Sequence, residues 1–150
     1  MTEARGADAR TSIHVDEFLG HPPAVVWRAL TEPDLLARWL MPNDFAPVAG
    51  HEFTFRAVPL PDAGFDGVVR CRVLDVEPAR LLRIRWRGGR LDTTVTWRLV
   101  PEGRGTRLLL DHEGFDPDDE IQRRALRGFG GGWRGHVVAR LRELLDALAV

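Results

Sequence analysis

The last thirty residues constrain the fold most. Phe129, Trp133, Val137, Leu141, Leu145 and Leu148 recur every three or four positions, while Arg134, Arg140, Arg142 and Glu143 fall between them. That spacing predicts an amphipathic α-helix whose apolar stripe needs a partner surface. Upstream, apart from residues 22–39, polar and apolar residues alternate with period two, so the helix is expected to bury its stripe against a β-sheet.

Strands are predicted at Ser12–Leu19, His51–Val58, Gly67–Val76, Leu81–Arg87, Leu91–Val100 and Thr106–Glu113. The connectors Glu77-Pro78-Ala79, Gly88-Gly89 and Pro101–Gly105 are hairpin-sized, which makes the last four strands an antiparallel meander. Pro22 and Pro23 suit the first turn of a short helix ending near Leu30, and Thr31 with Asp34 fits a capping pattern for a second, Pro33–Trp39. The Pro59–Asp66 loop is longer and rich in Pro and Gly, and either covers a site or is mobile. Alternation turns Phe53, Phe55, Val69, Cys71, Val73, Leu82, Ile84, Trp86, Val95, Trp97, Leu99, Leu108, Leu110 and His112 to one face. Arginines at 70, 72, 83, 85, 87 and 98 turn to the other, which reads as a solvated sheet face.

A chain of 150 residues fits one domain, expected at residues 12–150 behind a flexible polar tail at 1–11. That tail has no apolar centre, so neither a signal peptide nor membrane insertion is expected and the chain is placed in the cytoplasm. All 21 basic residues are Arg, against 22 acidic ones, for a net charge of −1. The basic field of a nucleic-acid binder is missing, and with no Lys there is neither a Schiff-base lysine nor a Walker A motif. Ser12 is the one serine and lies outside any nucleophile elbow. Cys71, the one cysteine, excludes an internal disulfide and a cysteine-based zinc site and reads as a small buried hydrophobe.

Gly130-x-Gly132-x-x-Gly135 formally matches a dinucleotide fingerprint, but it lies in a terminal helix behind an antiparallel meander rather than in a βαβ unit, so no cofactor is expected. Interior helical glycines are costly, and their cluster predicts a break or thinning between residues 122–129 and the main helix. Two readings stay open: small residues for close approach to the sheet, or a flexible gate at residues 128–135. The acidic run from Asp111 to Glu120 lacks calcium-loop order and better suits the start of a helix, so no metal is expected. His112 turns inward, as a satisfied core residue or as a ligand contact or base. His51 shares the parity of Phe53 but sits near a strand end.

The run Pro23-x-x-Val26-Trp27-x-x-Leu30-Thr31-x-Pro33-x-x-Leu36-x-x-Trp39 is followed by Glu77-Pro78-x-x-Leu81, Val95-Thr96-Trp97-x-Leu99, Gly105-Thr106-Arg107-Leu108 and Gly132-Trp133. In this order and spacing the chain resembles the SRPBCC superfamily, the helix-grip fold of START domains and the birch pollen allergen, and within it the AHSA-like branch of heat-shock-protein ATPase activator homologues. The resemblance implies an α+β fold in which a strongly curved six-stranded antiparallel sheet wraps around the C-terminal helix, with two short helices after the first strand. It also implies a cavity between sheet and helix for a small apolar or aromatic molecule, lined here by Phe53, Phe55, Cys71, Trp86, Trp97, Leu110, His112 and Trp133. No catalytic residue is assigned. The alternatives are cyclase or hydratase chemistry in the same cavity, with His112 or an acidic neighbour moving a proton, and modulation of a chaperone ATPase. A homodimer is left open.

Overall fold

In the computed structural model, which describes residues 11–149, the six alternating segments become strands β1 (Ser12–Leu19), β2 (Glu52–Arg56), β3 (Val68–Glu77), β4 (Leu81–Gly88), β5 (Leu91–Glu102) and β6 (Gly105–Glu113). The expected N-terminal tail, except Thr11, lies outside the described residues. The strands form one antiparallel sheet of order β1-β6-β5-β4-β3-β2. Because β1 pairs with β6 along its whole length, with Ser12 opposite Glu113 and Leu19 opposite Thr106, the chain must then travel to the far edge to begin β2. Helices α1 (Pro23–Thr31) and α2 (Pro33–Trp39) lie on that path, each with proline in its first turn. Thr31 does not cap α2. It stays in the last turn of α1, where its hydroxyl donates to the Trp27 carbonyl at 2.7 Å, and the cap position falls to Glu32 without a side-chain bond.

All fourteen residues assigned to the inner face are at most 5% exposed. A strand alternates its side chains strictly, so one wet face suffices to fix which residues meet the helix. The C-terminal segment supplies the other half of the core. It runs as α3 (Glu120–Gly132), a π turn (Trp133–Val137) and α4 (Val138–Leu148), with helical backbone at both junctions. Asp119 opens it by accepting from the amides of Ile121 and Gln122, the role expected of this acidic run. α1 and α2 pack against α4, and the result is the α+β helix-grip arrangement.

Of the expected break or thinning, the break is not there: the helix runs through Gly128–Gly132 and widens into a π turn that contains Gly135. The π turn inserts one residue, so the buried stripe steps from Trp133 to Val138 and then to Leu141 and Leu145, and Val137 is only half-buried. Close packing does not explain the glycines either. A methyl group built at Gly128, Gly131, Gly132 or Gly135 meets no atom within 4 Å, and at Gly130 it meets only the end of the Arg134 side chain at 3.2 Å. None of the five has a positive φ.

Gly131→Ala is therefore expected to stabilise the protein by about 1 kcal/mol, since it adds helix propensity at an exposed, unobstructed site. Urea unfolding measures this directly, and a fall in stability would mean that the backbone there is not helical.

Candidate functional site

The inner face is most aromatic where β4, β5 and β6 meet the π turn. Trp133 sits 6.2 Å from Trp86 and 6.1 Å from Trp97 between ring centres, both edge-on. His112 lies 5.5 Å from Trp86, 5.2 Å from Phe129 and 4.7 Å from Phe115. One hydrogen-bond chain threads this cluster. The Trp133 indole N–H donates to His112 Nδ1 at 3.1 Å, so the imidazole proton resides on Nε2, which faces the Thr93 hydroxyl at 2.8 Å. Thr93 in turn donates to the Trp86 carbonyl at 3.2 Å.

Both ring nitrogens of His112 are thus occupied, and the side chain is completely buried. Burial pushes its pKa down to about 3, because a charged imidazolium would lose its hydration among the aromatic rings around it. Of the two readings of this residue, the satisfied core histidine describes its geometry. Cys71 is likewise buried, and desolvation raises its thiol pKa far above the ordinary value. It is a small hydrophobe rather than a nucleophile.

Open space lies on the two sides of Phe129. One groove of about 110 Å³ is bordered by Leu60, Phe65, Leu91, Ile121, Trp86 and Phe129. The other, of about 200 Å³, is bordered by Leu40, Met41, Trp133, Val137 and again Trp86 and Phe129. Trp86 is common to both, and the half-buried Phe129 ring stands between them. The first groove is roofed by the Pro59–Asp66 loop, which folds back on itself through a Leu60–Phe65 bridge and a short 3₁₀ turn at Pro61–Ala63. This loop rests on the β4–β5 turn only because that turn is Gly88-Gly89. A Cβ at Gly88 would stand 3.1 Å from the Phe65 ring, and Gly89 has φ +56°.

Trp86 and Trp133, of the eight expected lining residues, border these grooves. Phe55 packs against Trp86 at 5.4 Å, Trp97 against Trp133, and Leu110 pairs with Trp97 across β5 and β6. Phe53 and Cys71 face one another across β2 and β3, with Phe45 edge-on to Phe53. His51 bonds to the Asp44 carbonyl at 3.0 Å. The Trp97 indole N–H is buried and has no hydrogen-bond partner among the described residues. Sequence reasoning did not assign Phe129, Leu60 and Phe65 to the site. Their signal was available, as two large apolar residues in a loop of Pro, Gly, Ala and Asp and an aromatic residue set among glycines.

On the outer face, Ser12 Oγ stands 3.2 Å from His14 Nε2, and His14 Nδ1 bonds the buried Asp111 carboxylate. The order is that of a hydrolytic relay. The amides that turn past this end of the strand, Gly114 and Phe115, both donate to the Thr11 carbonyl, so that turn offers no oxyanion hole. Among the described residues no group of three or more His, Cys, Asp or Glu side chains is placed to hold a metal, and no helix is long and apolar enough to cross a membrane.

A family model described as activator of Hsp90 ATPase homolog 1-like protein matches residues 20–146. Among solved structures, protein MLL2253 from Mesorhizobium loti is 38% identical over 91% of this chain and 97% of its own, with a TM-score of 0.79. CalU16 from Micromonospora echinospora is 27% identical over 92% of this chain and 85% of its own, with a TM-score of 0.65. The Aha1 dimer from Colwellia psychrerythraea, 19% identical over 93% of this chain and 96% of its own with a TM-score of 0.71, shares the fold. Curated proteins give no match.

A histidine held neutral in the fold makes stability depend on pH. Its folded pKa lies below the value of about 6.5 in an unfolded chain, so below that pH the unfolded state takes up a proton that the native state refuses. Between pH 6.5 and 4 this group alone is expected to remove stability at up to about 1.4 kcal/mol per pH unit. His112→Gln is expected to be about 1–3 kcal/mol less stable at pH 7 and to show a shallower slope, measured by urea unfolding across that range. Parallel slopes for the two proteins would contradict the neutral, buried assignment.

Proposed function

The chain belongs to the activator of Hsp90 ATPase homolog 1-like family, within the helix-grip superfamily, and we propose that it binds a small, mostly apolar or aromatic molecule around Phe129, at the junction of sheet and C-terminal helix. The observation that carries this reading is the pair of apolar grooves that share Trp86 as a wall and are separated by one half-buried ring. Swinging that ring aside would join them into a space of roughly 300 Å³, the lower end of the range for small-molecule pockets. The glycines beside Phe129 serve this motion. They lower the helix propensity of the segment that must yield, at no gain in packing.

Cyclase or hydratase chemistry in the same space would need a proton-transfer group other than His112, whose ring nitrogens are both taken. Modulation of a chaperone ATPase, the activity in the family's name, would show as a chaperone recovered in a pull-down. The Colwellia relative is described as a dimer, and a second copy of this chain is a partner consistent with the binding role in the cytoplasm.

Titration with N-phenyl-1-naphthylamine, an uncharged aromatic probe, tests the binding reading through tryptophan quenching and probe emission. Saturable binding is expected in the wild type. Leu60→Asp puts a charge on a groove wall that is already 56% exposed, and is expected to weaken binding about tenfold or more without changing the unfolding midpoint. Phe129→Ala, which removes the wall between the grooves, is expected to tighten it. Equal affinity in all three proteins would overturn the site.

A further inference from the structure

Across β3 and β4 the register sets like charges opposite each other on the outer face of the sheet, away from Phe129. Arg70 faces Arg87, and Arg72 faces Arg85. Such pairs cost stability unless counter-charge is supplied. The fold supplies part of it. Arg85 makes two hydrogen bonds to the Asp92 carboxylate, at 2.9 and 2.7 Å, and Arg70 donates to Asp66 at 3.1 Å. The remaining two guanidiniums, diagonal neighbours on the two strands, are less well met. Arg72 comes only within 4.0 Å of Glu52, with no hydrogen bond. Arg87 lies opposite Asp92 in the register, but that carboxylate is engaged by Arg85, and Arg87 has no ion pair or side-chain hydrogen bond of its own among the described residues.

These four arginines border a cleft of about 340 Å³ together with Thr54, Asp44, Glu52 and the expected site residues Phe53 and Cys71. The two carboxylates add negative charge but accept no hydrogen bond from Arg72 or Arg87. One oxygen of Asp44 already accepts from both the Thr54 amide, at 2.6 Å, and the Thr54 hydroxyl, and the Glu52 side chain is 76% exposed. What remains unmet inside the cleft is therefore a set of planar N–H donors on Arg72 and Arg87, the arrangement that suits oxyanions with several acceptor oxygens.

We propose that this cleft is a binding site for a phosphate-type dianion, bridged between Arg72 and Arg87 and flanked by Arg70. A single carboxylate would engage one of the two forks, whereas a pyrophosphate or phosphate ester presents oxygens to both. The cleft lies on the face opposite the apolar grooves, so it stands or falls independently of them.

Calorimetric titration of the whole chain with inorganic pyrophosphate, at about 50 mM salt to limit screening, tests the site. One saturable equivalent is expected. Arg72→Gln or Arg87→Gln is each expected to weaken it about tenfold, and the double variant to abolish it. All three change exposed side chains, and unfolding curves verify that the proteins are folded. Arg98→Gln, on the same face but outside the cleft, is expected to bind as the wild type does. Absence of saturable binding, or equal weakening in Arg98→Gln, would overturn the proposal by leaving only diffuse charge. Vesicles containing phosphatidic acid identify the source of the phosphate. Sedimentation with them that pyrophosphate competes away and Arg87→Gln abolishes assigns a lipid headgroup. Pyrophosphate binding without sedimentation assigns a free phosphate compound, and sedimentation indifferent to Arg87→Gln counts against the site.

Discussion

The hydrogen bond from the Trp133 indole to His112 ties the C-terminal helix to the sheet at one defined point, and the rest of the interior is arranged around it. In a dry core such a bond is strong because neither partner has water as an alternative, and breaking it would strand a buried donor at a cost of about 1–3 kcal/mol. The bond also selects the tautomer of His112 and thereby directs its one N–H, on Nε2, to the Thr93 hydroxyl, which in turn donates to the backbone carbonyl of Trp86 in β4. Helix, β6, β5 and β4 are locked together by polar contacts inside an aromatic cluster. That Trp133 begins a π turn follows the same logic, since the widened turn holds the indole at His112 while letting Val138, Leu141 and Leu145 continue the buried stripe.

One turn before this clamp the character of the helix changes. Phe129 is only half-buried, and the glycines around it neither pack closely nor adopt positive φ. A segment pinned at Trp133 and weakened just upstream is suited to local opening at Phe129 without loss of the core. The two grooves lie on either side of that ring. The outer face follows a different rule, in which the register sets arginine against arginine and only part of the charge is answered within the fold.

Much of this was legible in the sequence, and the reason is geometric. Strand alternation is strict, so a polar outer row of arginines named the inner row from Phe53 to His112 without a structure. The helix stripe was read correctly at Trp133, Leu141 and Leu145 but one residue early at Val137, because a π turn is invisible to a period of 3.6. Thr31 was read as a cap because its spacing to Asp34 fits one, although α1 extends far enough for its hydroxyl to find Trp27 instead. The grooves were not legible as such. They arise where Leu60 and Phe65 fold over Gly88 and Gly89, a contact between a loop and a hairpin that no local pattern encodes. The Ser12–His14–Asp111 chain and the arginine quartet were hidden for the same reason, as each depends on which strands become neighbours and in what register.

Indole N–H signals in a ¹H–¹⁵N spectrum provide the most direct test of an apolar site framed by Trp86, Phe129 and the Trp133 clamp. The chain has five tryptophans: Trp86 and Trp133 border the grooves, Trp97 packs against Trp133 without bordering them, Trp27 lies on α1, and Trp39 lies on α2, where its N–H donates to the Ala29 carbonyl. On titration with N-phenyl-1-naphthylamine the account predicts that the Trp86 and Trp133 signals shift and saturate together while those of Trp27 and Trp39 stay in place. Signals that all stay in place, or a response confined to Trp27 or Trp39, would contradict it.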